Sequence, residues 1–396
     1  MSQPAVTNLP PLALDRLTEV AARLAERAEQ HDREGSFPHE GIEHVHGAGL
    51  LTATVAEQYG GSGAGVATVV EILRVLGSAD PSVALVTAMT LFSHAAQATG
   101  KSWPERHYQR LLEDSAAGPA LVNALRVEPE LGTPARGGLP ATIARRDPES
   151  GDWLLTGQKI FSTGAVGLRW LAVWARTDEE PTRVGAFLVR ADRPGLTPGI
   201  RIEPTWDHLG LRASRSDDVF LDSVRVPGDA TSGLVDPTST DPRRDPGLVV
   251  WNNLGLTALY LGVAQAARDW LITFLNERTP SALGKPLATV PRFQAEVGQI
   301  EAQLVAAADL VSALALRFDA GDPEAARHAP AAKLIGTRAA IDAVQRAVAL
   351  IGNNALTRRN PLERHLRDVL CSRVHTPQDD SILAALGTAA LTSVQH

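Results

Sequence analysis

The feature that most constrains the fold is one unbroken run of apolar residues at helical spacing. Between residues 297 and 318, apolar positions alternate at intervals of three and four, which keeps them on one face of an α-helix. They are Val297, Ile300, Leu304, Ala307, Val311, Leu314 and Phe318. Such a seam predicts a long helix packed inside a bundle. Further helices predicted over 253–276, 331–352 and 377–395 would complete a four-helix bundle.

The N-terminal third also has helical spacing. Helices are predicted over 12–30 and 66–76, and the second should end at Gly77. Asp80 followed by Pro81 is a capping residue and a first-turn proline, so a third helix is expected from there toward Gly100. We therefore predict a helical N-terminal domain.

Short segments rich in Val, Leu, Trp and Phe, separated by Gly, Pro and Asp, follow from residue 120 to 227. They predict an antiparallel β domain with strands at 153–155, 170–175, 185–189 and 219–226. The proline-rich stretch 227–247 is predicted to be a linker or mobile loop. The chain should be α+β and mainly helical, with a helical domain (1–119), a β domain (120–232), a linker (233–250) and a bundle (251–396).

Composition and charge exclude several classes of protein. The net charge of -7 offers no basic surface for nucleic acid or an anionic membrane. Polar residues interrupt the longest apolar runs, so no membrane-spanning helix is expected, and the N-terminus lacks the pattern of a signal peptide. The single cysteine, Cys371, excludes an intramolecular disulfide and fits a buried structural thiol in a cytoplasmic protein.

Two motif-like stretches have simple structural explanations. In HEGIEHVH, His39 and His44 are five residues apart, which rotates them roughly 140° on a helix, so they would not face one metal ion. We predict a solvated surface helix and no metal site. The glycines of residues 60–65 (GGSGAG) do not complete a dinucleotide-binding fingerprint and are not followed by strand–helix alternation. A tight structural turn is the preferred interpretation.

Two hydroxyl-bearing turns in the β region, EPELGT (128–133) and KIFSTGA (159–165), belong to a wider pattern. With other segments they resemble the acyl-CoA dehydrogenase superfamily of flavoproteins, in order and spacing along nearly the whole chain. The other segments are AEQYGGSG (56–63), ADPS (79–82), WDHLGLRAS (206–214), VRVP (224–227) and PLERHLRD (361–368). The resemblance implies an acyl-CoA dehydrogenase fold: an N-terminal helical domain, a middle β domain and a C-terminal four-helix bundle. It also implies a homotetramer, with flavin between the β domain and the bundle and partly completed by a neighbouring subunit.

The resemblance also assigns residues to the flavin. Thr133 and Thr163 would hydrogen-bond the isoalloxazine or the phosphate, and Phe161 would pack on the ring. Arg278 would meet the flavin phosphates, because a fixed cation suits an anion. Gln294 stands where FAD-binding members reach the same region.

The identity of the flavin depends on a turn at residues 352–355. In the dehydrogenases a glycine-rich turn here holds the adenosine half of FAD. This chain has Gly352 followed by Asn-Asn-Ala, and Ala349 replaces the preceding glutamine. The weakened adenosine pocket favours FMN, whereas the retained Arg278 and Gln294 keep FAD possible.

The chain departs from the family at the catalytic base. A dehydrogenase needs one carboxylate beside the substrate α-carbon to abstract a proton. Its commonest place is occupied here by Thr376, and its alternative place on the first bundle helix reads Trp-Asn-Asn (251–253). A threonine hydroxyl is far too weak a base. Either Asp379 or Asp380 substitutes from a shifted loop, or the chain does other chemistry.

The flavin monooxygenases of the superfamily, such as dibenzothiophene monooxygenase, are the more similar branch. Their turn resembles the Phe-Ser-Thr-Gly of residues 161–164, and their C-terminal loop carries a histidine at the place of His375. Trp206 resembles their substrate-side tryptophan and would line the substrate pocket. We therefore predict a flavoprotein oxidoreductase that uses reduced flavin and O2 on a small organic substrate. Ser162 and His375 would supply hydrogen bonds and a proton, and a separate reductase would deliver the reduced flavin.

Two alternatives remain open at this point. The first is α,β-dehydrogenation of an acyl-CoA with a displaced carboxylate base. The second is a scaffold that kept the fold and lost the flavin, which predicts a colourless purified protein. Colour separates the scaffold from the enzymes, and the reaction of the reduced protein with O2 separates the two enzymes.

Overall fold

The computed structural model describes residues 7–100, 102–131, 138–192, 197–238 and 246–392. Helices form the first part of the chain, as predicted. They are α1 (Leu17–Glu34), α2 (His39–Gly47), α3 (Val66–Ala79), α4 (Pro81–Gly100) and α5 (Glu105–Ala117). The carboxylate of Asp80 accepts hydrogen bonds from two backbone N–H groups in the first turn of α4, at 2.8 and 3.2 Å. The predicted cap of α4 is therefore confirmed.

A single sheet forms the middle part, with eight strands among the described residues. They are β1 (Leu121–Leu125), β2 (Ile143–Arg146), β3 (Trp153–Lys159), β4 (Leu168–Thr177), β5 (Val184–Arg190), β6 (Ile200–Glu203), β7 (Asp218–Val226) and β8 (Thr231–Val235). Hydrogen-bonded neighbours run β6-β7-β3-β2-β4-β5-β8, and β1 pairs with β4. The predicted antiparallel pairing holds for most neighbouring strands, but β1 and β2 both run parallel to β4, which the prediction did not include. Alternation of apolar residues locates a strand but does not fix its direction.

The stretch predicted as a linker contains a strand. β8 lies within residues 227–247 and pairs antiparallel with β5, so the prediction is wrong for this half of the stretch. All five residues of β8 are only half-buried, because the strand lies at the end of the sheet. An edge strand needs few large apolar side chains, and its sequence resembles a loop for that reason. Residues 239–245 lie outside the described part of the chain.

The last part is a helical bundle. Its helices are α6 (Pro246–Glu277), α7 (Pro291–Asp319), α8 (Pro323–Ile351), α9 (Asn353–Leu356), α10 (Leu362–Leu370) and α11 (Asp379–Thr392). α6, α7 and α8 pack against one another, and the short α10 packs on α6 and α8. The helix predicted over 377–395 as the fourth member corresponds to α11, which packs on α8 and buries Ile382 while its other side chains stay largely exposed. The predicted helix is therefore present, and α10, which buries Leu362, His365, Asp368 and Val369, adds a further helix to the bundle.

The apolar seam predicted over 297–318 is confirmed in α7. Ile300, Leu304, Ala307, Val311 and Leu314 are buried on its inner face. By length and composition α7 is also the one helix in the described ranges that could cross a membrane, whereas none was expected from the sequence. Its seam packs on α8 within the bundle, which is the arrangement of a bundle helix.

Glycines permit two close approaches between the helical parts. The predicted end of α3 at Gly77 is wrong, since the helix continues for two more residues. A Cβ at Gly77 would lie 2.4 Å from the carbonyl oxygen of Leu259, so glycine lets α3 touch α6. A Cβ at Gly65 would lie 2.5 Å from the Asp319 carboxylate, which caps α3 by accepting the N–H of Val66 at 2.8 Å. The glycine-rich turn is therefore structural, as predicted.

Candidate functional site

A turn after β3 presents an aromatic ring and a buried hydroxyl. Phe161 has a backbone φ of 55°, which non-glycine residues rarely adopt, and its side chain is 58% exposed. Ser162 points inward, and its buried Oγ has no hydrogen-bond partner among the described residues. Gly164 adopts a φ of 75° and lies under α4. An exposed apolar ring beside an unpaired hydroxyl suits a flat ligand that forms hydrogen bonds.

Buried Asp217 joins this turn to the loop that carries Trp206. Its carbonyl oxygen accepts the N–H of Ser162 at 3.3 Å, and its carboxylate accepts the N–H of Trp206 at 2.9 Å. The hydroxyl of Thr163 accepts a hydrogen bond from Ser216 at 3.2 Å. The two sequence-predicted elements, turn and tryptophan loop, are therefore one unit.

The tryptophan loop is held against the bundle and the N-terminal domain. A Cβ at Gly210 would lie 2.4 Å from the carbonyl oxygen of Arg367, so the loop and α10 are in direct contact. Leu211 donates its N–H to Asp368 at 2.7 Å. The guanidinium of Arg367 pairs with Asp32 of α1 at 2.6 and 2.9 Å. All three parts of the fold meet at this loop.

The loop after α10 carries His375, and side chains of two other helices hold this loop in place. Lys333 of α8 donates from its Nζ to the carbonyl oxygens of His375 and Pro377, at 3.0 and 2.7 Å. Asn252 of α6 donates to the carbonyl oxygen of Thr376 at 2.6 Å. The ring Nε2 of His375 is buried, and it has no partner among the residues that the structure describes.

Electrostatics keep this imidazole uncharged. Burial lowers the pKa of His375 to about 4, and the charges of Lys333 and His208 act in the same direction. At neutral pH the ring is uncharged and can still donate one hydrogen bond. From the sequence we predicted that His375 supplies hydrogen bonds and a proton. The lowered pKa favours the first of these roles.

Ring contacts connect the turn to the tryptophan loop, and a second ring contact lies at the histidine loop. Phe161 meets Trp206 edge-on at 6.3 Å between centroids, and Trp206 stacks on His208 at 4.3 Å with an interplanar angle of 7°. His208 acts electrostatically on His375, and the Tyr260 ring lies 5.7 Å from His375. The sequence-predicted residues Phe161, Ser162, Thr163 and Trp206 form one cluster, and His375 is near enough to His208 of the same loop for His208 to influence its pKa.

Three predicted cofactor residues lie elsewhere in this chain. Arg278 follows the far end of the 32-residue α6, roughly 48 Å from the start of the helix at 1.5 Å per residue. Gln294 is exposed beside it and donates to the carbonyl oxygen of Ala288 at 3.0 Å. Gly352, also exposed, ends α8 with a φ of 56°. They do not form one site with Phe161 in a single chain.

A fourth predicted cofactor residue, Thr133, lies outside the described residues.

The two candidate displaced bases are held by other groups. Asp379 accepts a hydrogen bond from Arg338 at 2.8 Å in an ion pair, and exposed Asp380 accepts the N–H of Ser381 at 2.8 Å. Both lie in the first turn of α11, where a carboxylate is stabilised by the helix N-terminus. The expectation that one of them replaces the missing base receives no support from this geometry.

Sequence reasoning assigned no role to three polar side chains of the site. His208 stacks on Trp206, while Asn253 and Tyr260 are fully buried in α6. The amide atoms of Asn253 and the hydroxyl of Tyr260 have no hydrogen-bond partner within the described ranges. The available signal was two polar residues seven positions apart in an otherwise apolar helix, which places both on one face.

Three family models match the chain in the order of its structural parts. The N-terminal domain of acyl-CoA dehydrogenase matches residues 16–117, the middle domain matches 127–224 and the C-terminal domain matches 254–379. The chain belongs to the acyl-CoA dehydrogenase superfamily. The predicted fold class and the predicted resemblance are thereby confirmed, and the protein is a flavoprotein oxidoreductase by family.

Individual relatives carry two kinds of name. A putative acyl-CoA dehydrogenase of Bacillus subtilis, YdbM, is 32% identical over 385 residues, covering 96% of this chain and 97% of the relative. A solved structure of KijD3 in complex with FMN and a dTDP-amino-sugar is 28% identical, with a TM-score of 0.76 and coverage of 99% and 97%. Dibenzothiophene monooxygenase (TdsC) from Paenibacillus shares the fold at 23% identity, with a TM-score of 0.78 and coverage of 93% and 94%.

The residues present fit a flavin. The exposed ring of Phe161 offers an apolar face, and the unpaired buried Oγ of Ser162 and the hydroxyl of Thr163 offer hydrogen bonds beside it. A flat ring with polar edges needs both kinds of contact. This turn is the part of the described chain that fits the ring of the cofactor.

Proposed function

We propose that the protein is a flavin-dependent monooxygenase that acts on a small organic substrate with reduced flavin and O2. The observation that carries the proposal is that other residues replace the carboxylate base of the family at the catalytic loop. Thr376 corresponds to one family position of the carboxylate base and the segment 251–253 to the other, and Asn252 of that segment donates a hydrogen bond to the Thr376 carbonyl oxygen. The neighbouring His375 turns an unpaired, uncharged nitrogen inward. Neither of these two positions carries a carboxylate, and an unpaired imidazole nitrogen lies next to one of them.

When bound, the flavin would supply the electrons that activate O2. The residues of the chain then have separate roles. Phe161 would support the ring, and Ser162 and His375 would donate hydrogen bonds to an oxygen anion that develops in the site. Trp206, fixed by Asp217 at 2.9 Å, would line the substrate side. A charged carboxylate here would oppose negative charge, so its loss favours this chemistry.

We further propose that the flavin is FMN, delivered in its reduced form by a separate reductase. The structure of KijD3, 28% identical, contains FMN. Gly352, in the turn that would hold an adenosine, is exposed, and nothing lies within 4 Å of the point where a Cβ would stand. Heat release of the flavin and chromatography against FMN and FAD standards tests this choice.

A cytoplasmic homotetramer is our proposal for the assembled protein. α11 exposes apolar side chains, among them Leu383 at 48% and Leu391 at 77%, which another subunit could cover. Sedimentation equilibrium of the purified protein tests the oligomeric state. A monomer across the concentration range would contradict the proposal.

The reaction itself is tested by mixing photoreduced, flavin-loaded protein with isotopically labelled O2 and candidate substrates. We expect labelled oxygen in an organic product. His375→Ala should lower the product formed per O2 consumed, because one donor is lost, while His44→Ala on the exposed side of α2 should leave this ratio unchanged. Equal ratios in both variants would remove His375 from the mechanism.

Acyl-CoA dehydrogenation is the second candidate, and the name and 32% identity of YdbM favour it. It predicts enoyl-CoA from an acyl-CoA panel with an artificial electron acceptor, without O2. The group that would act as base is then one that the described geometry does not identify. Enoyl-CoA formation, with no labelled oxygen in any product, would overturn the monooxygenase proposal.

A further inference from the structure

Unpaired buried polar atoms lie where α6 meets the histidine loop. The side chain of Asn253 is fully buried, and neither its Nδ2 nor its Oδ1 has a partner among the described residues. The hydroxyl of Tyr260 and the Nε2 of His375 are in the same condition. A buried polar group that stays unpaired costs ~1–3 kcal/mol. Such groups are normally paired with water or a ligand.

These atoms border one region. Tyr260 follows Asn253 by seven residues, two helical turns, so both side chains leave the same face of α6 roughly 10 Å apart. The Tyr260 ring lies 5.7 Å from His375. At the other end, Asn252 donates to the Thr376 carbonyl at 2.6 Å. Asn252 and Tyr260 thus both lie beside the loop of residues 375–376, and Asn253 lies between them along α6.

We infer that Asn253 binds the substrate by accepting a hydrogen bond on its side-chain oxygen, and that the substrate carries an uncharged N–H group or a similar donor beside its reacting atom. This inference rests on the proposed function, because it assigns the contents of the same site. An alkyl chain or a sulfur heterocycle would cover the Asn253 amide without forming a hydrogen bond with it. The oxygen of a primary amide is a hydrogen-bond acceptor, so it favours a partner with a donor over one of the same shape without a donor.

The charge of the site argues against an ammonium substrate. The ammonium group of Lys333 is buried beneath the loop and lies 3.0 Å from the carbonyl oxygen of His375. A second cation close to this loop would be repelled by the Lys333 ammonium group. An amide side chain also brings no negative charge to offset it. The recognised group is therefore neutral.

The test measures binding alone and needs no turnover. Two probes of the same shape are used, indole with one N–H donor and 1-benzothiophene with none. Their dissociation constants for the flavin-loaded protein are measured by saturation-transfer NMR titration. In the wild type, indole should bind more tightly than benzothiophene by roughly tenfold, as expected for one hydrogen bond to a buried acceptor.

The variant Asn253→Leu keeps the shape of the side chain and removes its polar atoms. The preference for indole should disappear in this variant and in Asn253→Ala. Thr257→Val, one turn further along α6, is the matched control, because its hydroxyl is already paired with the Asn253 carbonyl oxygen at 2.6 Å. The control should keep the preference, and circular dichroism at 222 nm checks that all variants are folded.

The outcomes are distinct. Loss of preference in both Asn253 variants, with the control unchanged, supports the inference even where no oxygenated product is found. An unchanged preference in a folded Asn253→Leu protein would show that the amide holds water only, and the inference would then be wrong. A wild type with no preference would also overturn it. Neither result depends on whether the enzyme oxygenates or dehydrogenates.

Discussion

Asp368 is the buried carboxyl whose protonation should dominate the pH dependence of the interface between the tryptophan loop and the bundle. It is 2% exposed, and its Oδ1 accepts the N–H of Leu211 at 2.7 Å. Burial raises the pKa of Asp368 to about 7, and the positive charges of Arg364 and Arg367 oppose this shift without cancelling it. The perturbation is Asp368→Asn, which keeps an oxygen for Leu211 and removes the ionisation.

The magnitude and the sign follow from linkage. With a pKa of about 7 in the folded state and about 3.9 in the unfolded state, the folded protein binds more protons between these values. Its free energy of unfolding therefore falls as the pH rises through this window and levels off above the folded pKa. Between pH 5.5 and 8.0 the loss from Asp368 is about 2 kcal/mol. The asparagine variant should lack this loss.

Urea unfolding of the wild type and Asp368→Asn at pH 5.5 and 8.0 measures the effect. The quantity of interest is the difference between the two proteins at each pH, because it cancels the opposite contributions of the buried histidines. The variant should gain about 2 kcal/mol over the wild type on going to pH 8.0. Asp207→Asn, in the same loop but 99% exposed, is the matched control. A difference that stays constant with pH would refute the reasoning and show that the neighbouring arginines hold Asp368 ionised.

The remaining predictions concern close contacts, an unpaired hydroxyl and a buried charge. Gly77→Ala should lower the free energy of unfolding by about 1–3 kcal/mol, because its Cβ would lie 2.4 Å from a carbonyl oxygen of α6. Its control Gly298→Ala, where nothing lies within 4 Å, should raise it by about 1 kcal/mol in the same urea assay. Ser162→Ala should lower the product formed per O2 consumed without lowering the thermal midpoint, since its Oγ is unpaired among the described residues. Lys333→Met should raise the pKa of His375 above about 4, measured by NMR titration of the ring, because a nearby positive charge is removed.

Much of the fold could be predicted because local patterns determine it. The seam of α7, the Asp80 cap and four strands were all found from periodicity and capping chemistry. The errors arose where contacts between residues far apart in the sequence determine the structure. Gly77 has the sequence signature of a helix end, yet its role is to admit Leu259 of a helix far along the chain. The direction of β1 and β2 against β4 likewise depends on connections that alternation does not encode.

The candidate site was also predictable only in part. The resemblance supplied Phe161, Ser162 and His375, which the fold brings toward one place. It placed Asn253 within the segment 251–253, at an alternative position of the base, but gave it no role, because an asparagine in a bundle helix is ordinarily a surface residue and only its burial makes the side chain significant. It also grouped Arg278 with Phe161, although the length of α6 separates them within one chain. A match to a motif predicts the role of a residue, whereas only the structure shows which residues lie beside it.

Charge states around the histidine loop lead to one chemical conclusion. Burial lowers the pKa of His375 to about 4, raises that of Cys371 to about 12 and raises that of Tyr260 well above its usual value. All three side chains are therefore neutral at pH 7. A general base for carbon acids has to be ionised or readily protonated, and none of these groups meets that requirement. Neutral donors can still stabilise negative charge that appears during a reaction, because a poorly hydrated site strengthens each hydrogen bond. The loop is thus better suited to receiving an oxygen anion than to removing a proton from carbon.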